Sequence, residues 1–201
     1  MIAERKGRIM QQAERRSDKG FTLMETMIAM TILIVGVLAL AMMLGTGLQY
    51  MNVSQGDYIA QQKASEAVES IFTARDQGQA TWSTICNVSS SICSAGIFAV
   101  GAQPLCDPGA DGIVGTADDF NGSVCAGNAD AILTPNSGGN FNPPTRLALT
   151  NFTRTIVVSN ATDNSGNVIA NLREIQVTIT YTNGNFKNRT YTLTTYISNF
   201  S

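Results

Sequence analysis

Histidine is missing altogether from this 201-residue chain, tryptophan occurs once, and charged residues fill only 14% of positions. Without histidine, Ser-His and Cys-His nucleophiles are excluded, as are metal sites built on imidazole. There is no Cys-x-x-Cys pair to suggest zinc and no Gly-x-x-x-x-Gly-Lys loop to cradle a nucleotide. Between Gln77 and Thr145 there is no Lys or Arg, although Asp107, Asp111, Asp118, Asp119 and Asp130 all fall there. Adjacent carboxylates such as Asp118 and Asp119 can in principle do acid-base work, but neighbours in a Gly-rich loop rarely share a pocket. The chain reads as a non-enzyme.

What it does have is one long apolar run. From Met27 to Leu44 only Thr31 and Gly36 interrupt Met, Ile, Ala, Leu and Val. About 18–20 such residues in a helix cross a bilayer's hydrocarbon core. Glu25 stands at the start of this run, where an unpaired carboxylate costs about 2.5 kcal/mol or more and marks a functional partner. A new amino terminus on Phe21, made by cutting after Gly20 and carried by a neighbouring copy, is a cation able to meet it. Ahead of the run, residues 1–20 hold six basic and three acidic residues, whereas the remainder holds seven basic and twelve acidic. Positive flanks stay cytoplasmic, so the C-terminal part is expected outside. No Ala-x-Ala site follows the apolar run, so the helix is expected to stay on the mature chain.

Lys19-Gly20-Phe21-Thr22-Leu23-Met24-Glu25 resembles the signal sequence of type IV prepilins and type II secretion pseudopilins. That resemblance implies cleavage between Gly20 and Phe21 by a prepilin peptidase, N-methylation of Phe21, and docking of Glu25 into a helical filament.

Beyond Leu48 the helical rhythm continues. Ala60, Ala64, Ala67, Ile71 and Ala74 recur at spacings of three and four, with Gln61, Gln62, Lys63, Glu66 and Glu69 on the other side. One helix from Phe21 to about Asp76 is expected, its second half packed on a sheet, and Gln77-Gly78 ends it. Residues 78–145 are rich in Gly, Ser, Asn and Pro and carry Cys86, Cys93, Cys106 and Cys125. An even number of cysteines in an exported segment suggests two disulfides of three possible connectivities. Sequence proximity favours Cys86 with Cys93 and Cys106 with Cys125. Within the same stretch, Asp107 to Asp119 reads as half of a calcium loop. Asp107, Asp111, the Ile113 carbonyl and Asp118 fall at its ligand positions, with Asp119 beside them, but Gly109 replaces a ligand and no helices flank it. A solvated acidic turn is the alternative.

From Arg146 the period changes to two. Phe152–Ser159, Leu172–Tyr181 and Arg189–Ile197 suit strands, and Ile175, Val177, Ile179 and Tyr181 alternate with polar residues. Asn164-Ser165-Gly166-Asn167 and Asn183-Gly184 carry turn chemistry. The expectation is an α+β chain of five parts: a cleaved leader 1–20, a membrane and filament-core helix 21–48, its amphipathic half 49–77, a cysteine-bearing loop region 78–145, and an antiparallel meander 146–201.

That layout also resembles the type IV pilin fold, and the C-terminal run from Arg189 resembles PilV-type minor pilins. The resemblance implies a structural subunit of an inner-membrane assembly platform's filament, anchored with its C-terminal domain in the periplasm and later displayed at the surface. Its partners would be prepilin peptidase and other pilins. A minor pseudopilin of type II secretion and a calcium-dependent adhesive module on a membrane anchor are the alternatives. Arg146, Arg154, Arg173, Lys187 and Arg189 would serve nucleic acid only if they shared one face. Nucleic acid is not an expected partner, and apart from calcium no cofactor is expected.

Overall fold

The computed structural model describes residues 20–139, 141, 143–183 and 186–199. The expected leader therefore lies outside the described residues except for Gly20, as does Gly184 of the expected Asn183-Gly184 turn. The chain divides into two compact units, meeting between Gly47 and Leu48. Helix α1, Leu23–Asp76, contributes to both.

In the first unit every described residue is exposed, and Glu25 is the only charged residue among them. An apolar surface of this extent does not belong in water. This part of α1 is long and apolar enough to cross a membrane. Thr22 caps its start, where the Glu25 N–H donates to the Thr22 hydroxyl at 3.3 Å. A threonine just before the first helical turn satisfies a backbone donor that the helix itself cannot.

The second unit packs the rest of α1 on a sheet. Ala60, Ala64, Ala67, Ile71 and Ala74 are all buried. Their small side chains permit close approach to strands whose inner residues are bulkier. After α1 come short pieces: β1 (Gln103–Pro104), a 3-10 turn at Ala117–Asp119, β2 (Phe120–Asn121), β3 (Val124–Cys125), β4 (Ala131–Thr134) and β5 (Thr145–Ala148). Three long strands follow, β6 (Phe152–Thr162), β7 (Val168–Asn183) and β8 (Phe186–Ser198). The main sheet is antiparallel in the order β1-β6-β7-β8. Ile175, Val177, Ile179 and Tyr181 of β7 are buried on its helix-facing side, as the alternation requires. Thr145–Ala148 does not extend the meander; it pairs with β4 in a separate two-stranded sheet.

The loop region is ordered by covalent and polar ties. Cys86 is bonded to Cys93, and Cys106 to Cys125. Asn87 acts as a strand residue for β6, its Nδ2 donating to the Ile156 carbonyl at 2.7 Å and its Oδ1 accepting from the Val158 N–H at 2.8 Å. That pairing satisfies main-chain groups which would otherwise be left open on this edge.

Two arginines occupy inner-face positions of the sheet. Arg173 is 3% exposed and donates to the carbonyls of Trp82, Ile85 and Ile92 at 2.5, 2.8 and 3.0 Å, while its guanidinium lies 4.0 Å from the Trp82 ring centre. Arg154 is 2% exposed, and its two terminal nitrogens find no hydrogen-bond partner among the described residues. Among the described cations, Arg154 and Arg173 therefore add nothing to an outer stripe, because both sit on the inner face of the sheet. Arg146 and Arg189 are held by Asp107 and Asp57 instead.

Lys63 also departs from expectation. Its place in the helical pattern puts it on the wet side, yet it is 7% exposed, because Asp130 closes over it from the loop region.

Candidate functional site

The N-terminal candidates sit together at the start of α1. Gly20 and Phe21 precede the helix, Thr22 caps it, and Glu25 lies in its first turn. Phe21 is 78% exposed, so the Gly20-Phe21 peptide bond is open to a protease. Placing an acid in the first turn is favourable, since the helix N-terminus carries partial positive charge. In hydrocarbon, however, that interaction does not replace a full counter-ion. The arrangement places an exposed Gly20-Phe21 junction just ahead of one apolar helix and an exposed carboxylate, Glu25, within its first turn.

The acidic loop is brought only partly together. Asp111, Asp118 and Asp119 each offer an oxygen, and the three oxygens lie within 4.8 Å of one another. Hard dications take carboxylate oxygens at about 2.3–2.6 Å, so this spacing fits oxygens sharing one ion. Asp107 lies elsewhere, bound through Oδ2 by Arg146 Nη2 at 2.9 Å, and the Ile113 carbonyl accepts the Thr116 hydroxyl at 3.1 Å.

The loop also bonds to itself. Asp119 Oδ1 and Oδ2 accept the N–H groups of Gly109 and Gly115, each at 2.6 Å. Asp118 accepts the Thr116 hydroxyl at 2.6 Å and the Asp111 N–H at 3.2 Å. A Cβ on Gly109 would collide with the Asp118 carboxylate, so glycine is what lets the loop fold over it. Burial raises the Asp119 pKa, against the opposing pull of the two glycine N–H groups and the Arg154 charge. Asp118 shifts the other way. Burial works against its charge, but the Thr116 hydroxyl and loop N–H groups outweigh that and lower its pKa.

The i, i+3 spacing predicts the pairing of Lys63 with Glu66, which is present at 2.7 Å; what escaped the reading of the sequence is Asp130 closing on Lys63, the cluster of Asp57 with Tyr181 and Arg189, and Arg173 with its three carbonyls. Only the Lys63 and Glu66 spacing carried a local signal. The other partners lie far apart in the chain.

An exposed apolar surface on one unit and a helix-on-sheet second unit with two disulfides fit a membrane-anchored α+β protein. Comparison with protein families refines this. Residues 15–41 match the prokaryotic N-terminal methylation motif, the type IV prepilin signature, and the match spans both the Gly20-Phe21 junction and Glu25. It supports a type IV pilin-like protein processed by prepilin peptidase. Comparisons with curated proteins and with solved structures gave no match.

Proposed function

We propose that this chain is a minor pilin, cut between Gly20 and Phe21, methylated on the Phe21 amine, and incorporated into a type IV pilus. The observation that carries this reading is the methylation motif over residues 15–41, laid on an apolar helical unit whose only described charge is Glu25. The same apolar surface serves twice, first against lipid and then against other subunits in the filament core. Glu25 pairs there with the Phe21 amine of a neighbour, since each charge is costly alone in a dry environment. The second unit, with its disulfide-tied loops, forms the filament's outer surface. The chain is a structural subunit, and the energy of assembly comes from elsewhere.

N-terminal and intact-mass analysis of the protein from its native membrane and from sheared surface filaments tests this. A chain beginning at methylated Phe21 in the sheared fraction is expected. A processed chain confined to the membrane would point to the pseudopilin of type II secretion, and an uncut chain would overturn the reading.

For the acidic loop, the same proposal includes a structural calcium ion on Asp111, Asp118 and Asp119. It is supported by the 4.8 Å grouping of three carboxylate oxygens. Bound calcium would offset the repulsion among them and order the loop.

A further inference from the structure

Lys63, Glu66 and Asp130 form a cluster that filament assembly leaves unused. Lys63 Nζ lies 2.9 Å from Asp130 Oδ1, 2.8 Å from Asp130 Oδ2 and 2.7 Å from Glu66 Oε2. The side chains of Lys63 and Asp130 are each 9% exposed. Asp130 is fixed on both sides of its backbone, its N–H donating to the Leu105 carbonyl and its carbonyl accepting from the Leu149 N–H. A primary amine is thus held against a carboxyl group away from bulk water. Such confinement replaces the entropy cost of bringing two reactants together.

Two further features match what amide formation needs. The Ala131 N–H donates to Asp130 Oδ1 at 2.7 Å, where charge would collect on attack at Cγ. Glu66 touches Nζ and is half-open to solvent, so it can carry protons. Arg154, buried and with unpartnered terminal nitrogens, adds a positive charge that acts on both Asp130 and Glu66.

We propose that Lys63 and Asp130 condense into an intramolecular amide, with Glu66 as the proton carrier. A proton first passes from the Nζ ammonium through Glu66 to Asp130 Oδ2, giving a neutral amine and a carboxylic acid. The Nζ lone pair then attacks Cγ, forming the Nζ–Cγ bond and placing negative charge on Oδ1 beneath the Ala131 N–H. Glu66 takes a second proton from Nζ and delivers it to Oδ2. The Cγ–Oδ2 bond breaks, Oδ2 leaves as water, and Oδ1 becomes the amide oxygen. One water is released, nothing is oxidised or reduced, and no co-reactant is consumed.

Burial works against the Lys63 ammonium, but its hydrogen bonds and charge interactions with Asp130 and Glu66 outweigh this and raise its pKa. The ion pair is therefore the resting form, and reaction proceeds slowly through the neutral one. The product exchanges two buried charges for one neutral amide, which removes their desolvation cost. It also ties α1 to the start of β4 across 67 positions. The two disulfides span only 7 and 19 positions, both inside the loop region.

The test is mass analysis of the full chain, recovered from its native membrane, then denatured and reduced. The expected mass is one water below that of the processed sequence, with a branched peptide joining Lys63 to Asp130 after trypsin. Lys63→Arg keeps the cation and is expected to restore the missing water. Glu66→Gln is expected to do the same while both disulfides and the circular dichroism spectrum stay unchanged. A wild-type chain with both disulfides formed and no water lost would overturn the proposal. So would a water loss mapped to other residues, and persistence of the cross-link in Glu66→Gln would overturn the part given to Glu66.

Discussion

Gly56 of α1 faces the Tyr181 ring so closely that a Cβ there would lie 2.5 Å from Cε2 and 3.0 Å from Cζ. The same ring stacks on Phe152 with centres 4.9 Å apart, and its hydroxyl donates to Asp57 Oδ1 at 2.5 Å. Tyr181 is therefore clamped from three sides, and the glycine is the side that a single mutation closes. Gly56→Ala is expected to destabilise the second unit by about 1–3 kcal/mol through overpacking. Better helix propensity returns at most about 1 kcal/mol of this. Thermal melting of the purified protein checks it, and an unchanged or higher midpoint would show that the ring can move aside.

Glu25 offers a sharper functional separation. Glu25→Ala removes the only described charge of the first unit and leaves Gly20, Phe21 and the Thr22 cap in place. Membrane insertion and cleavage at Gly20 should persist, while recovery in sheared filaments should be lost. A processed Glu25→Ala chain assembling at the wild-type level would show that Glu25 is not the group that docks the subunit.

How much of this was legible depended on distance along the chain. Ala60, Ala64, Ala67, Ile71 and Ala74 announced the buried face of α1, and Ile175 to Tyr181 announced that of β7, because burial in a regular element repeats with its period. The motif that contains Phe21 and Glu25 was equally plain, since its signal is contiguous in the chain. Lys63 was misplaced on the wet side because nothing within the helix shows that Asp130 will cover it. For the same reason Arg154 and Arg173 read as surface cations, and Asn87 could not be foreseen as a substitute strand residue. Such contacts join distant segments, and distant partners leave no period in the sequence.

Arg173 is the most economical probe of the loop region. Its guanidinium serves three carbonyls and the Trp82 face at once, a combination that the single ammonium of lysine cannot reproduce. Arg173→Lys should leave buried acceptors unsatisfied and cost about 2–4 kcal/mol. Trp82 is the only tryptophan, so its fluorescence reports on this contact directly. A shift of its emission and faster proteolysis within residues 82–93 are expected, whereas unchanged emission would mean that the loop holds without the arginine.

Acid should loosen the loop of residues 107–119 through Asp118. A carboxyl group whose folded pKa is lowered contributes stability that is complete above its unfolded pKa and lost as pH falls through the folded one. Asp118 is such a group, held by the Thr116 hydroxyl and loop N–H groups against the effect of burial. Asp119 has the opposite sign: burial raises its pKa, so stability improves as pH falls from that raised value toward the ordinary range. Lowering the pH should therefore first give a flat or slightly rising midpoint, then a fall below the usual aspartate range of about pH 4. Asp118→Asn should reduce the fall, leaving the share of Asp163, whose pKa its hydrogen bonds from the Asn167 side chain and the Asn167 and Ser165 N–H groups also lower, and should leave the rise. Calcium bound to these carboxylates competes with protons, so adding it at neutral pH should raise the wild-type melting midpoint, and the gain should vanish in acid and in Asp118→Asn. A midpoint that ignores both calcium and chelator would assign the loop's order to its own hydrogen bonds, with the acid step of Asp118 still present.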